Sequence, residues 1–403
     1  YQYVADCAFD VWFAYFKSLG LRIVQVSASY KPAVIYGGPT LSVSKLSEEL
    51  CKNGIKTEVI TTLANGKQEL NLPAGEVTYI ENVSVRFFER ITKDHSHFSP
   101  GLIWHLLKLK KAAEPTIIHI HAWWNLVSVF ACAVAQFKNI PVVLSPRGTL
   151  SQYSFTKKNN RLKNWMHFLA GKKLLSKCFF HVTSEAEKAE ILQLFRPRNI
   201  QVISNFITIP SNLDIQIRKK NSVLKLLFMS RIDPKKGLEV LFEALSKIDF
   251  PYHLTIAGTG EQEYLNSLQK IVDKNSMQNS VTWIGFQNQK NKFDVLQKHD
   301  LLILPSYNEN FGNVVIESLA VGTPVLISNK VGLADYVEVN QLGWTFENRA
   351  EILQNLLMKI NANRSQLTEI SLQAPQKIKK DFAEKSLIKQ YINFYQEVIT
   401  AVY

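Results

Sequence analysis

Two short, wholly apolar runs bracket residues 305–324: Leu301-Leu302-Ile303-Leu304 before them and Val325-Leu326-Ile327 after. Each is the right length for a buried strand and too short for a buried helix. Between them Val314, Val315, Ile316 and Leu319 recur at helical spacing, and Gly322-Thr323-Pro324 ends that helix. Two buried strands joined through a helix form the crossover of a parallel sheet, which needs helices on its faces. The fold class is therefore α/β.

The loop inside this crossover has chemistry of its own. Glu309-Asn310-Phe311-Gly312-Asn313 lies past the carboxyl end of a strand and opens a helix. Free backbone N–H groups and the positive end of the dipole attract an anion there. Gly312 permits close backbone approach. Glu309 in the loop and Glu317 in the early helix leave one carboxylate for the groups on each side of a bound phosphate. A strand, a polar loop and a glutamate-bearing helix are also an ordinary crossover. The distinguishing pattern is Glu309-x7-Glu317, with Phe311-Gly312 inside it and Gly322-Thr323-Pro324-Val325 behind. It resembles the Glu-x7-Glu site of the retaining family 4 glycosyltransferases.

The first half repeats the strand–helix grammar. Leu21–Val26 reads as a strand, Tyr36-Gly37-Gly38-Pro39 as a loop, Thr40–Asn53 as a helix and Thr57–Thr61 as a strand, a βαβ unit. Gly37-Gly38 is a tight turn or a ligand loop and lacks the third glycine of a dinucleotide fingerprint. In the resembled family a similar pair lies against the donor's phosphate. Thr116–His121 is a strand with His119 and His121 on one face. A strand histidine is usually structural, but a carboxyl end of a parallel sheet is where ligands bind. The resemblance implies that His121 faces the donor sugar. Pro146-Arg147-Gly148 departs from it, since relatives carry histidine before the glycine, and leaves a part for Arg147 open. Ser204-Asn205-Phe206 stands where the family has Pro-Asn-Gly.

The second half restarts with a strand at Leu224–Met229, then Arg231-x4-Lys236-Gly237 before a helix. This is a basic surface loop, or a clamp in which an arginine fork and a lysine hold a diphosphate. It resembles the family's diphosphate clamp, and its pairing with Glu-x7-Glu is more specific than either motif alone. The resemblance also places the nucleotide base near Gly285-Phe286 and sends the helix at Ser386–Val402 back to the first domain. The implied architecture is two facing Rossmann-like domains, the GT-B arrangement, with the site in the cleft. Residues 1–20 are an unassigned extension, 21–212 the acceptor domain, 222–385 the nucleotide-sugar domain and 386–403 the crossover helix. Expected site residues are Glu309, His121, Arg231 and Lys236 for catalysis. Gly37, Gly38, Gly285, Asn310, Phe311, Gly312, Asn313 and Glu317 are expected to bind the donor.

Composition sets the partners. The formal net charge of +13 favours anionic ones; nucleic acid has charge alone in its favour and is not expected. Expected partners are a UDP-, GDP- or ADP-sugar and a glycan or lipid-linked acceptor, as in enzymes of bacterial capsule and lipopolysaccharide biosynthesis. No Asp-x-Asp signature occurs, so no metal or other cofactor is expected. Cys7, Cys51, Cys132 and Cys178 are widely spaced and show no metal pattern, which suits reduced thiols in cytoplasm. Residues 157–177 carry Lys157, Lys158, Arg161, Lys163, Lys172, Lys173 and Lys177 with no acid, around Trp165 and Leu169. They are a solvated face or a helix docking peripherally on anionic membrane. Two other functions fit: a nucleotide-sugar epimerase, which would release product without an acceptor, and a binding protein with a degenerate site.

Overall fold

The computed structural model describes residues 20–109, 114–151, 171–210 and 222–402, and of Val34 and Lys290 the backbone alone. The expected extension, apart from Gly20, lies outside the described residues, as does the basic segment up to residue 170. The chain forms two compact units, one of residues 1–206 with 384–403 and one of residues 207–383. The division falls between Phe206 and Ile207 rather than in the polar stretch 212–221, and the returning segment begins at Glu384 rather than Ser386.

The first unit is built on β1 (Arg22–Val26), β2 (Lys56–Thr62), β3 (Val77–Ile80), β4 (Val83–Phe88), β5 (Thr116–His121), β6 (Val142–Ser145), β7 (Phe179–Val182) and β8 (Asn199–Val202). Their order is β8-β7-β6-β5-β1-β2-β4-β3, parallel except for β3, which runs antiparallel to β4. Alternation decides the two faces. Val24, Val26, Ile118, Ile120, Leu144 and Phe180 share a core with α2 (Pro100–Lys108) and α3 (Leu126–Phe137), while α1 (Gly38–Lys52) packs beside β2. Ile23, Ile117, Val143 and Phe179 share the opposite core with the returning helix Glu384–Thr400, through Leu387, Tyr391, Phe394, Tyr395 and Val398. Ser184 caps α4 (Glu185–Leu194) by accepting from the Glu187 N–H at 3.2 Å. Phe206 replaces the family's glycine for a physical reason: its ring is buried and stacks on Tyr391 of the returning helix, centroids 5.5 Å apart.

The second unit holds β9 (Leu224–Met229), β10 (Tyr252–Ala257), β11 (Val281–Gly285), β12 (Leu301–Leu304), β13 (Val325–Ser328) and β14 (Gly343–Phe346). All are parallel, in the order β11-β10-β9-β12-β13-β14. β12 and β13, the runs that set the fold class, are buried along their whole length, so no alternation was available to them. The chain builds outward from β9 on one side and from β12 on the other. The switch point therefore lies between those two strands, where such sheets bind ligands at their carboxyl ends.

Candidate active site

Two loops meet at that switch point. Residues 230–237 follow β9, and residues 305–312 follow β12. Asp233 accepts from the Lys235 N–H at 2.9 Å and starts a short 3-10 turn, Pro234–Lys236. Gly237 ends the turn at φ 69°, and a Cβ there would stand 2.1 Å from the Pro305 carbonyl oxygen. The Tyr307 N–H donates to the Lys235 carbonyl at 2.9 Å, tying the loops together. On its other side the Glu309 N–H donates to Lys330 O at 3.0 Å, and Gly332 N–H to Glu309 O at 2.8 Å.

This framework brings Lys236, 8% exposed, into an ion pair with Glu309. Burial pushes the Glu309 carboxyl up, but the Lys236 ammonium, then Lys235 and Arg231, outweigh it and hold Glu309 below the ordinary carboxylate value. Burial in turn pulls the Lys235 ammonium down, against the attraction of Glu309. Three cations thus surround one carboxylate. Beside them α6 (Asn313–Ala320) begins at Gly312, whose φ of 90° is left-handed and which has no side chain to cap the first turn. A Cβ on Gly312 would sit 3.0 Å from Val331 and 3.5 Å from the Glu309 side chain, so the helix end and the carboxylate are neighbours. The arrangement can hold a multiply charged anion.

Glu317 lies one turn into α6, buried, and accepts from Lys292 Nζ at 2.6 Å; Lys292 belongs to α5 (Gln289–Gln297). Sequence reasoning missed both Lys292 and Lys235. Asn310 and Asn313 are half-buried in the loop. Phe311 turns inward, packing edge-on against Phe382 with centroids 6.4 Å apart, so only its backbone is available to a donor. Gly285 closes β11 and accepts from the Gly258 N–H at 2.8 Å, with Phe286 exposed beyond it.

The other expected residues belong to the first unit. Gly37, at φ 70°, precedes α1, which starts at Gly38. His119 and His121 share a face with their rings 4.2 Å apart. A chain of hydrogen bonds runs through this face: Tyr395 OH to His119 Nδ1 at 2.7 Å, His119 Nε2 to Ser145 Oγ at 2.6 Å, and Ser145 Oγ to His181 Nδ1 at 2.6 Å. His181 Nε2 lies 2.8 Å from the Ile203 carbonyl and 3.0 Å from Tyr391 OH.

His121, expected to face a donor sugar, is instead buried with both ring nitrogens engaged. Nε2–H donates to Gln25 Oε1 at 2.6 Å, and Nδ1 accepts from Arg147 Nε at 3.3 Å. A neutral imidazole has one donor and one acceptor, and both are spent. Burial holds His119 and His121 well below the ordinary histidine value and brings His181 down to about 3; neighbouring histidines and Arg147 add to the effect. His121 thus links Gln25 to Arg147.

The comparisons with known proteins agree with this geometry. The family model described as "Glycosyltransferase Family 4" matches residues 36–209, and "Glycosyl transferases group 1" matches residues 212–377. Glycogen synthase of Mycobacterium tuberculosis is 28% identical over 344 residues, 80% of this chain and 81% of that protein. The amylovoran biosynthesis glycosyltransferase AmsK of Erwinia amylovora is 26% identical over 192 residues, 45% of this chain and 47% of that protein. The solved structure of Anabaena HepE in complex with UDP-glucose superposes with a TM-score of 0.70 at 18% identity, covering 93% of this chain and 99% of that one. Two parallel-sheet domains of this kind define a GT-B glycosyltransferase. The chain belongs to glycosyltransferase family 4.

Proposed function

We propose that this enzyme moves a glycosyl group from a nucleotide sugar to a hydroxyl of a glycan or lipid-linked acceptor. The transfer retains configuration at the anomeric carbon, needs no metal and serves surface polysaccharide biosynthesis. The observation that carries this reading is Glu309 set among Arg231, Lys235 and Lys236 beside the uncapped start of α6. When the bond between the anomeric carbon and the diphosphate breaks, negative charge grows on the departing diphosphate. Arg231, Lys236 and the first turn of α6 stabilise that charge. Lys236 exchanges Glu309 for the diphosphate, which releases Glu309 toward the donor sugar near the reacting carbon. Glu317 takes the ribose hydroxyls. A nucleotide-sugar donor is supported by the HepE complex with UDP-glucose, and a polysaccharide product by the name of AmsK.

A lipid-linked acceptor would bring the enzyme to a membrane surface. No helix among the described residues is long and apolar enough to cross one. Trp104 on α2 is 60% exposed and Phe137 on the adjoining α3 is 81% exposed, with Lys108 Nζ 4.9 Å from the Trp104 ring centroid. Aromatic and basic groups together suit the interface of anionic lipid. They favour docking of this face of the first unit, which is a reading separate from that of residues 157–177 as either a solvated face or a membrane-docking helix.

The test is hydrolysis and transfer with UDP-, GDP- and ADP-sugars, in the wild type and in Arg231→Ala and Lys236→Ala. Each substitution removes one preorganised charge, roughly 3 kcal/mol or a 10²–10³-fold loss of kcat. Near-normal turnover in both variants would overturn the clamp. Excess EDTA should leave activity intact; a complete loss restored by Mg²⁺ would overturn the metal-free mechanism.

A further inference from the structure

Arg147 is a cation set into the first unit, with the Glu187 carboxylate acting on it but not paired with it. Its Nη1 donates to Asn205 Oδ1 at 3.0 Å and its Nε to His121 Nδ1 at 3.3 Å, both neutral acceptors. Nη2 is shut off from solvent and has no hydrogen-bond partner among the described residues. The carboxylate of Glu187 is already committed: it accepts from the N–H groups of Gly148 at 2.8 Å and Thr183 at 3.0 Å, and from Thr183 Oγ1 at 3.2 Å. The surrounding histidines are held neutral by burial, and Tyr391 and Tyr395 are pushed up out of their ordinary range. Glu187 acts on Arg147 electrostatically without a hydrogen bond to it, so the buried end of the guanidinium has no paired oxygen among the described residues.

The backbone makes the same point independently. Arg147 sits at φ 53°, in the left-handed region that a long side chain rarely adopts. Thr149 holds it there through N–H and Oγ1 donation to the Pro146 carbonyl at 3.1 and 2.6 Å. A strained backbone and an unpaired buried donor are both costly, and an outlier of this kind motivates a hypothesis of function. The loop also follows the carboxyl end of β6, the edge of a parallel sheet at which ligands bind.

We propose that Arg147 is the residue by which the first unit recognises an anionic group, phosphate or carboxylate, on the acceptor. Guanidinium suits both, since its planar fork matches two oxygens at once. The acceptor is preferred to the donor as the source of the anion because the second unit has its own diphosphate site in Arg231, Lys235, Lys236 and α6. The Gln25–His121 and Asn205 contacts fix the fork, leaving Nη2 as the donor without a partner, one that an anion reaches only by displacing what covers it. The proposal rests on the glycosyltransferase reading for the word acceptor, but its test measures binding and requires no sugar transfer.

The full-length protein, labelled with ¹⁵N-histidine, is titrated with inorganic phosphate, pyrophosphate and glucuronate. One charge-assisted site should give a Kd of about 1–10 mM. An anion at Arg147 offsets its charge, so the imidazole resonances of His121 should move on binding. Arg147→Gln should abolish the response, and Arg147→Lys, which keeps the charge and loses the fork, should weaken it roughly tenfold, about 1.4 kcal/mol. Should Arg147→Gln fail to fold, Arg147→Lys decides alone: unchanged affinity overturns the proposal. So does an equal response in Arg147→Gln, or no response to any of the anions in the wild type. A preference for phosphate over glucuronate, or the reverse, identifies the acceptor's anionic group. Addition of UDP separates the sources: if UDP produces the same shifts and displaces phosphate, the anion is the donor's diphosphate and the acceptor assignment is overturned.

Discussion

Replacing Gly237 by alanine tests whether the loop after β9 is held by close approach. The residue is left-handed, which costs an alanine about 1–2 kcal/mol. Its new Cβ would lie 2.1 Å from the Pro305 carbonyl oxygen, which also accepts from Asn348 Nδ2 at 2.7 Å. The strand end cannot retreat without disturbing that hydrogen bond, and overpacking of this kind costs about 1–3 kcal/mol. The expected loss is roughly 2–5 kcal/mol. Gly285→Ala is the control within the same unit: φ is 67°, but its Cβ would meet nothing within 4 Å, so only the backbone cost applies. Two units need not unfold together, so a single global transition is the wrong readout. Hydrogen exchange of peptides from β9 and β12 at increasing urea reports the second unit directly. If Gly237→Ala is no more destabilising there than Gly285→Ala, collision with Pro305 is not what holds the loop.

Lys292→Met should raise the donor KM roughly tenfold, about 1.4 kcal/mol, with little change in kcat. It removes the partner 2.6 Å from Glu317, and Glu317→Gln should do the same; an unchanged KM in Lys292→Met would make the pair purely structural. The wild-type protein should co-sediment with anionic vesicles and be released by salt, since each basic residue near the surface contributes about 1 kcal/mol and is screened. Trp104→Ser combined with Lys108→Ser should weaken this binding, and failure of the wild type to bind even at low salt would end the membrane proposal.

Much of the second unit was legible because its signals are local. Buried strands such as Leu301–Leu304 need no partner to be recognised, and Glu309, Gly312 and Glu317 fall within one turn–helix segment. Arg231 and Lys236 were readable from a loop between strand and helix. Lys292 was not, because nothing in Gln287–Asp294 marks it; only the packing of α5 beside α6 brings it to Glu317. The first unit's polar chain was hidden for a similar reason. Gln25, His119, Ser145 and His181 come from four strands, and their contact depends on strand order, which local periodicity does not encode. Tyr391 was visible as part of a helical stripe, but its hydroxyl, and that of Tyr395, became meaningful only with His181 and His119 opposite. The partners of His121 were hidden as well, because position at a strand end says nothing about which groups already occupy the ring.

On the ribosome, the second unit emerges whole before the first can close. Roughly 180 residues separate Phe206 from Glu384, and at about 5–20 residues per second their synthesis takes roughly 10–40 s. Throughout that interval Ile23, Ile117, Val143 and Phe179 form an open apolar face, and His119 and His181 lack Tyr395 and Tyr391. The first unit is begun first and completed last. A nascent chain stalled between the two would present a finished second unit tethered to an unfinished, aggregation-prone sheet, and a truncation just before Glu384 would damage the amino-terminal half rather than the unit it adjoins.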